Sequence, residues 1–152
     1  MLDNKLALFE EKEIRKTWEN DKWYFSVIDV IYVLTNSNKP RDYWYRLKQR
    51  ASEEEQVELS IICRQLKLES SDGKKYNTDC ADTEGILRII QSIPSSKAEP
   101  FKRWLAKVGS ERIEEINNPE LAMDRMKQIY EKKGYSKSWI EQRERGITTR
   151  HN

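Results

Sequence analysis

A run of aromatic residues at positions 23–25 leads directly into a helix start, and this junction constrains the fold more than any other feature of the chain. Aromatic side chains favour extended strands. Ser26 and Asp29 then occupy the ends of a capping box, in which the serine hydroxyl accepts the amide three residues on and the carboxylate reaches back. The junction predicts a strand over residues 23–25 and a helix over residues 26–34.

Short strand-like and helix-like patterns, separated by turn residues, make up the rest of the chain. Residues 6–9 and 14–18 are predicted as two further strands, and residues 66–76 as a hairpin around a Ser-Ser-Asp-Gly turn. Pro40 favours the first turn of a helix that continues to about Ala51. Apolar residues at helical spacing predict further helices that carry residues 86–90, 101–108, 119–134 and 136–150. We therefore expect an α+β fold: a small antiparallel sheet with a hairpin and several helices, a helix-turn-helix-like element and C-terminal helices.

Motifs for catalysis and for metal or cofactor binding are missing from the sequence. The glycines are scattered singly and form no phosphate-binding loop, and His151 is a poor base for a nucleophile. Two cysteines and one histidine are too few ligands for a zinc site. A metal-dependent nuclease would need an acidic pair beside a lysine, whereas Asp79 and Asp82 are expected to cap and turn the chain. We expect no enzymatic activity and no cofactor.

The sequence also lacks signals for a membrane or for secretion. No run of about 18 apolar residues occurs, and the first 13 residues lack the basic start and apolar stretch of a secretion signal. Cys63 and Cys80 are expected to be buried, reduced thiols. These features predict a cytoplasmic protein without a membrane partner.

The most informative segment is residues 39–50, which holds five basic residues and one acid. If Trp44 and Leu47 face the core, the polar side chains lie on the outer surfaces of the helix. Arginine and lysine bind phosphates or guanine edges, and glutamine can read adenine. With the preceding helix and its turn, the segment resembles a helix-turn-helix, whose second helix enters the major groove. The candidate DNA contacts are Lys39, Arg41, Tyr45, Arg46, Lys48, Gln49 and Arg50.

Lys74 and Lys75, beside the hairpin turn, extend this candidate surface. They would lie along a DNA backbone as a wing does, with Lys39 as a further flanking phosphate contact. The alternative is that these lysines and the basic helix face are only solvated. A second basic region, residues 97–112, leaves the same alternatives open. A rigid scaffold under the candidate surface is expected from Trp23, Phe25, Val30, Trp44, Leu47, Phe101 and Trp104.

Two motifs resemble the N-terminal domain, Bro-N, of the BRO and phage antirepressor family. Residues 23–34 read Trp-Tyr-Phe-Ser-Val-Ile-Asp-Val-Ile-Tyr-Val-Leu, an aromatic strand that enters a helix around an Asp-Val pair. Residues 85–88 read Gly-Ile-Leu-Arg, and residues 95–105 follow with Ser-Ser-Lys-Ala-Glu-Pro-Phe-Lys-Arg-Trp-Leu. The resemblance covers roughly residues 6–113. The tail from Asn117 is similar to the bacterial or prophage-borne branch of the family, which includes DNA-damage-inducible protein D.

The resemblance implies a DNA-binding domain over residues 1–113 and a helical extension over residues 114–152 that continues in a longer protein. It implies a regulator, either a phage-type antirepressor or a transcription regulator, with double-stranded DNA as its partner. The competing hypothesis is a protein-interaction module that acts on a repressor or recombination protein. In that case the helices over residues 119–134 and 136–150 would present apolar faces to the repressor or to a second copy of the chain.

Overall fold

The computed structural model describes residues 13–151, of which residues 148–151 are described only as helical backbone. Residues 1–12 and 152 lie outside the described part, and the strand predicted at residues 6–9 falls there. Contacts divide the chain into two compact units. The N-terminal unit comprises the described residues up to Lys102, and the C-terminal unit begins at Arg103.

A four-stranded antiparallel sheet forms the framework of the N-terminal unit. Its strands are β1 (Lys16–Glu19), β2 (Lys22–Ser26), β3 (Arg64–Glu69) and β4 (Lys75–Asp82), in the spatial order β1-β2-β4-β3. Asn20 and Asp21 join β1 to β2 with φ angles of 51° and 62°. Both values lie in the left-handed region, as a two-residue type I′ hairpin turn requires. The strand predicted at residues 14–18 begins only at Lys16.

Within the described residues, seven helices accompany the sheet and confirm the predicted α+β class. They are α1 (Val27–Thr35), α2 (Pro40–Arg50), α3 (Glu53–Ile62), α4 (Thr83–Gln91), α5 (Glu99–Asn117), α6 (Glu120–Lys132) and α7 (Lys137–His151), and a 3₁₀ turn at Ser96–Ala98 precedes α5. As predicted, Ser26 caps α1 and Asp82 caps α4. Gly134 follows α6 with a φ of 90°.

Helix α3 was not among the predicted elements. Its local signal is a cap: Ser52 accepts the amide of Glu55, and three consecutive glutamates fill the first turn. Carboxylates favour that end of a helix because the macrodipole is positive there. None of the residues of α3 is buried. The helix therefore shows only a weak apolar periodicity, which is the pattern by which the other helices were predicted.

One half of the predicted capping box was wrong. The Ser26 hydroxyl does accept the Asp29 amide at 3.4 Å. The Asp29 carboxylate, however, accepts from the backbone and guanidinium of Arg15, at 3.0 Å and 2.7 Å. The Ser26 amide instead donates to the Arg15 carbonyl. Asp29 thus joins the start of α1 to the segment before β1, a long-range contact that the local motif does not encode.

Branched aliphatic side chains of α1, of α4 and of the residue two positions after α4 are among the most deeply buried of the N-terminal unit. They include Val27, Val30, Ile31, Ile86, Ile89, Ile90 and Ile93, each at most 1% exposed. Burying such a side chain contributes about 1.5–3 kcal/mol relative to leaving it in water. This core fixes the position of α1. Because α2 begins only a few residues after α1 ends, the core also limits where α2 can lie.

The C-terminal unit is held together largely by charged and aromatic contacts. Arg125 of α6 reaches three carboxylates of α5, with the shortest distance, 2.6 Å, to Glu115. Lys127 of α6 pairs with Glu144 of α7 at 3.0 Å. Tyr135 stacks on Trp139 with ring centroids 4.3 Å apart. The unit is therefore a helical assembly with polar internal contacts.

Candidate nucleic-acid interface

Helices α1 and α2 are joined by a short ordered turn, residues 36–39. Asn36 ends α1 in the left-handed conformation, with a φ of 55°, and its amide donates to the Tyr32 carbonyl. Inside the turn, Ser37 and Lys39 amides donate to hydroxyls of Thr35 and Ser37. Pro40 then occupies the start of α2. The predicted order of helix, four-residue turn and basic helix is therefore present.

Trp44 and Asp79 anchor α2 on the sheet. Trp44 is 4% exposed, and its indole Nε1 donates to the Asp79 carboxylate of β4 at 2.8 Å. Lys48 donates to the same carboxylate oxygen at 3.2 Å, and its ammonium lies 5.1 Å from the Trp44 ring centroid. The expectation that Asp79 merely caps or turns the chain was wrong, since this carboxylate receives two side chains of α2.

The environment of Asp79 keeps it charged. Its burial raises the pKa, but the hydrogen bond from Trp44 and the charge of Lys48 outweigh that effect and place the pKa below its ordinary value. The Lys48 ammonium is held between this carboxylate and the Trp44 ring, so it stabilises the position of α2 on the sheet. Lys48 was predicted as a DNA contact, but these two interactions restrict its movement toward a phosphate.

The outward face of α2 carries most of the other predicted contacts. Tyr45 is 61% exposed, and Arg46 and Gln49 are exposed beside it. At about 100° per residue these three side chains share the side of the helix opposite Trp44. Toward the rest of the described structure, the Arg46 guanidinium donates a single long bond of 3.4 Å, to the Asp42 carbonyl of its own helix. Tyr45, Arg46 and Gln49 therefore form the central stripe of the outward face of α2.

Exposed cations flank this central stripe. Arg41 and Arg50 lie on opposite edges of the outward face, and Lys39 precedes the helix. With the other described residues, none of these three forms an ion pair. Glu55, Glu58 and Arg88 line the same small cavity as Arg50, and Arg88 pairs with Glu58 at 2.8 Å.

The hairpin places its two predicted lysines differently. Lys74 ends the turn, where its amide donates to Asp72, and Lys75 begins β4. Both are exposed. Because side chains alternate along a strand, Lys75 shares a sheet face with Asp79, which α2 contacts. Lys74 lies before the first residue of β4, so the alternation of side chains does not assign it to either face of the sheet.

Lys67 is a residue that the sequence analysis missed. It is exposed on β3 and pairs in register with Asn77, so it lies on the same sheet face as Lys75 and Asp79. The alternation of residues 66–69 was the available signal, because it placed Lys67 opposite to the apolar side chains. Glu69, the register partner of Lys75, lies on the same face, so the hairpin face beyond α2 carries two lysines and one glutamate.

A groove of about 440 Å³ runs beside α2. Tyr45 and Gln49 line one wall, and Gln56, Ser60 and Cys63 line the wall formed by α3 and its end. Burial raises the pKa of the Cys63 thiol to about 12, so this group stays protonated at neutral pH. Lys48 and Asp79 line the groove as well, so it places both neutral and charged hydrogen-bonding groups next to the exposed stripe.

The expected aromatic scaffold is only partly in place. Phe25, Val30, Trp44 and Phe101 are buried, whereas Leu47 and Trp104 are half-buried. Trp23 was assigned wrongly, because it is 43% exposed. It packs edge-on against Trp18 with ring centroids 5.3 Å apart, and the Lys16 ammonium lies 4.6 Å from its ring. An aromatic strand therefore does not bury every ring when it pairs with a sheet-edge strand.

The remaining predicted features are placed as follows. Within the basic region at residues 97–112, Lys102 donates to the Ile93 carbonyl at 2.6 Å, and Arg112 lies 3.7 Å from Glu115. Cys63 and Cys80 are free thiols. No three acidic, histidine or cysteine side chains converge as metal ligands in the part of the chain that the structure describes. Of the described helices, none is long and apolar enough to cross a membrane.

The fold and this surface define a small α+β domain with a helix-turn-helix-like pair whose second helix is basic and exposed. The sequence of residues 13–113 matches the family described as BRO family, N-terminal domain. Since the match spans more than half of the chain, the protein belongs to the BRO family. Neither the curated proteins nor the solved structures gave a match to the chain. Its assignment to the bacterial or prophage-borne branch stays a prediction.

Proposed function

We propose that this chain is a DNA-binding regulatory domain of a phage- or prophage-type antirepressor or transcription regulator, with α2 as the helix that enters the major groove. The observation that carries the proposal is the outward face of α2. It combines exposed Arg46, Tyr45 and Gln49 with cations on both edges, on a helix that Trp44 fixes to the sheet. Membership of the BRO family supports the same role.

The two parts of this surface have different tasks in the proposal. Gln49 and Arg46 face base edges, where glutamine pairs with adenine and arginine with guanine. Arg41, Arg50 and Lys39 contact phosphates on the two sides of the groove, which sets the position of the helix. Lys74, Lys75 and Lys67 of the hairpin contact the backbone farther along the duplex. Lys48 contributes by holding α2 on Asp79.

A charge reversal on α2 tests the proposal. We expect Arg41→Glu/Arg46→Glu to lower duplex affinity at least about tenfold at low salt, because two cations are replaced by two anions at the phosphate surface. The control is Lys133→Glu/Lys137→Glu, which makes the same change in net charge on exposed residues of the C-terminal unit. Fluorescence anisotropy with labelled duplex and single-stranded DNA gives the affinities, and circular dichroism verifies the fold. Equal affinities for the two variants would refute the assignment of α2.

A second candidate function is a module that binds a repressor or recombination protein without contacting DNA. It is favoured by exposed apolar side chains in the C-terminal unit: Ile129 is 47% exposed, Tyr135 46% and Trp139 38%. Capture of a repressor in nuclease-treated lysate, together with no measurable affinity for DNA, would support this candidate over the first. In both cases we propose a protein that binds rather than catalyses, needs no cofactor and works in the cytoplasm.

A further inference from the structure

The groove between α2 and α3 has the size of a site for a small molecule. Its volume of about 440 Å³ falls within the range of roughly 300–1,000 Å³ that is usual for small-ligand sites. The two helices form its walls, and Asp79 of β4 completes its lining. All three elements belong to the N-terminal unit, so the groove is a property of that unit alone.

The side chain of Gln56, on the α3 wall, is held in one orientation. Its amide nitrogen donates to the carbonyls of Lys48 and Ala51, at 3.3 Å and 3.1 Å. A carbonyl oxygen only accepts hydrogen bonds, so the amide cannot be turned the other way round. Both hydrogens of this amide are therefore used at the end of α2, and the side-chain oxygen of Gln56 is left as an acceptor at the wall of the groove.

Ser60, one turn further along α3, presents a second acceptor on the same wall. Its hydroxyl donates to the Val57 carbonyl at 2.6 Å, and this bond uses its only hydrogen. The serine oxygen keeps lone pairs for another group. Residues four apart share a helix face, so Gln56 and Ser60 act side by side. The α3 wall therefore favours a ligand that brings N–H donors.

The charged groups of the groove balance each other. Lys48 and Asp79 form an ion pair at 3.2 Å, and the other side chains that line the groove carry no charge at neutral pH. A charged ligand would disturb this partly buried pair, whereas an uncharged ligand leaves it intact. The Lys48 ammonium has three hydrogens, so it can donate to Asp79 and also to an acceptor of the ligand.

The two walls of the groove also carry apolar surface. Tyr45 of α2 is exposed, and Leu59 of α3 is half-buried. Nucleobases stack on aromatic side chains because every base has a π face. A flat ring between the walls covers apolar surface of both helices while its edge meets the polar groups. The lining as a whole therefore favours an uncharged, planar heterocycle with donors and an acceptor on one edge.

We propose that this groove binds an unpaired nucleobase whose exocyclic amino group lies beside a ring nitrogen acceptor, as in adenine and cytosine. The amino group donates to Gln56 and Ser60, and Lys48 donates to the ring nitrogen. A base outside the helical stack is read in this way, through its Watson–Crick edge and by stacking. Uracil and thymine carry a carbonyl oxygen in place of the amino group, so an acceptor would face the acceptors of α3.

A base of this chemistry has two sources. It is either part of a free nucleoside or a base extruded from the DNA that the proposed function places on α2. The extruded base rests on the proposed function, whereas the free nucleoside does not. The experiment therefore has one arm for each source.

Calorimetric titration with adenosine, cytidine and uridine tests the site itself, because a nucleoside has no phosphate to attract surface cations. For a nucleoside ligand we expect adenosine and cytidine to bind at least about tenfold more tightly than uridine, the effect of a lost hydrogen bond and an unpaired acceptor. Ser60→Phe should lower adenosine affinity at least about tenfold, because the ring fills the volume that the base needs. The control is Val57→Phe, which adds the same ring to α3 at an exposed position that does not line the groove.

Duplexes with one bulged base test the DNA source. Fluorescence anisotropy gives the ratio of affinities for a bulged adenine and a bulged thymine within each protein, so that any change in general duplex affinity cancels. If the base comes from DNA, wild type and Val57→Phe should prefer the bulged adenine at least about tenfold, and Ser60→Phe should lose the preference. Circular dichroism verifies that both variants fold.

The outcomes separate the two proposals. Preference for adenosine and cytidine over uridine without a bulge preference identifies a free nucleoside as the ligand, and a bulge preference identifies a base in DNA. Absence of both preferences overturns the nucleobase site, as does an equal loss in Val57→Phe and Ser60→Phe. A chain that binds adenosine but no duplex keeps the site and contradicts only the proposed function.

Discussion

At the scale of single residues, Asp79 decides how the candidate surface is presented. Its carboxylate receives Trp44 and Lys48, so one acid on the sheet both orients α2 and removes one lysine from the set of exposed cations. Arg41 and Arg46 are left outward, and they provide the charge that the proposed DNA contact needs. The composition of a basic segment thus does not tell which of its cations are available.

The Asp79 contact predicts a pH-dependent stability difference. Asp79→Asn keeps an acceptor for Trp44 but removes the charge that holds Lys48, so we expect it to lower the free energy of unfolding by about 1–2 kcal/mol at pH 7. The pKa of Asp79 is lower in the folded than in the unfolded chain. Its contribution is therefore complete above the unfolded value of about 4 and is lost as pH falls through the lowered folded value.

Chemical unfolding of wild type and Asp79→Asn from pH 7 to pH 3 measures this difference. The gap between the two proteins should narrow only in the acid range. Glu131→Gln is the control, because it also replaces an acid by its amide, at an exposed position of α6. A gap that stays constant down to the lowest pH would show that the ionic contact contributes nothing to the folded state.

At the scale of secondary-structure elements, the end of β4 packs tightly against the start of α4, and this contact fixes the position of α4 in the core. Gly85 in the first turn of α4 is buried, and a Cβ built on it lies 3.0 Å from the Ala81 Cβ and 3.3 Å from the Asp82 Oδ1. The Ala81 Cβ is attached directly to the backbone of β4 and cannot move aside. The close approach of α4 to β4 therefore requires glycine at this position.

Alanine at Gly85 should destabilise the protein even though alanine is the better helix former. We expect a loss of about 1–3 kcal/mol, the usual cost of overpacking a core. The matched change Gly146→Ala occurs in open space and should instead stabilise by up to about 1 kcal/mol. Thermal or urea unfolding of both variants gives the two signs. A stabilised Gly85→Ala protein would contradict the close packing of α4 against β4.

At the scale of the whole molecule, the charge of the protein is local rather than global. The formal net charge is only +2, so long-range attraction to DNA is weak. Affinity for DNA in the proposed function must come from the particular cations of α2 and the hairpin. Their number determines how steeply the affinity falls with salt concentration.

The dependence of DNA affinity on salt concentration separates phosphate contacts from base contacts. Arg41→Ala should reduce the slope of log affinity against log salt by about 0.9, the value for one lost phosphate contact on duplex DNA. Gln49→Ala should leave that slope unchanged and reduce discrimination against the wrong base by about 1–3 kcal/mol. Salt titrations with a selected and a scrambled duplex measure both quantities. If Arg41→Ala kept the full slope, Arg41 would not be a phosphate contact.

Local signals in the sequence determined the order and type of most elements. The caps at Ser26 and Asp82, the proline that opens α2 and the hairpin turn act within a few residues of chain, so their effects can be read without the fold. The motifs at residues 23–34 and 85–105 indicated the family for the same reason. Helix α3 was missed because it buries no residue and shows only its cap.

Only the tertiary structure decided which side chains of the candidate surface are free. Asp79 lies 31 residues from Lys48 and 35 from Trp44, and Asp29 lies 14 from Arg15. Such pairs form because β4 and α2, or the segment before β1 and the start of α1, are brought together by burial of a shared apolar core, which a local pattern does not specify. The exposure of Trp23 was decided in the same way, by the neighbours that the fold supplies.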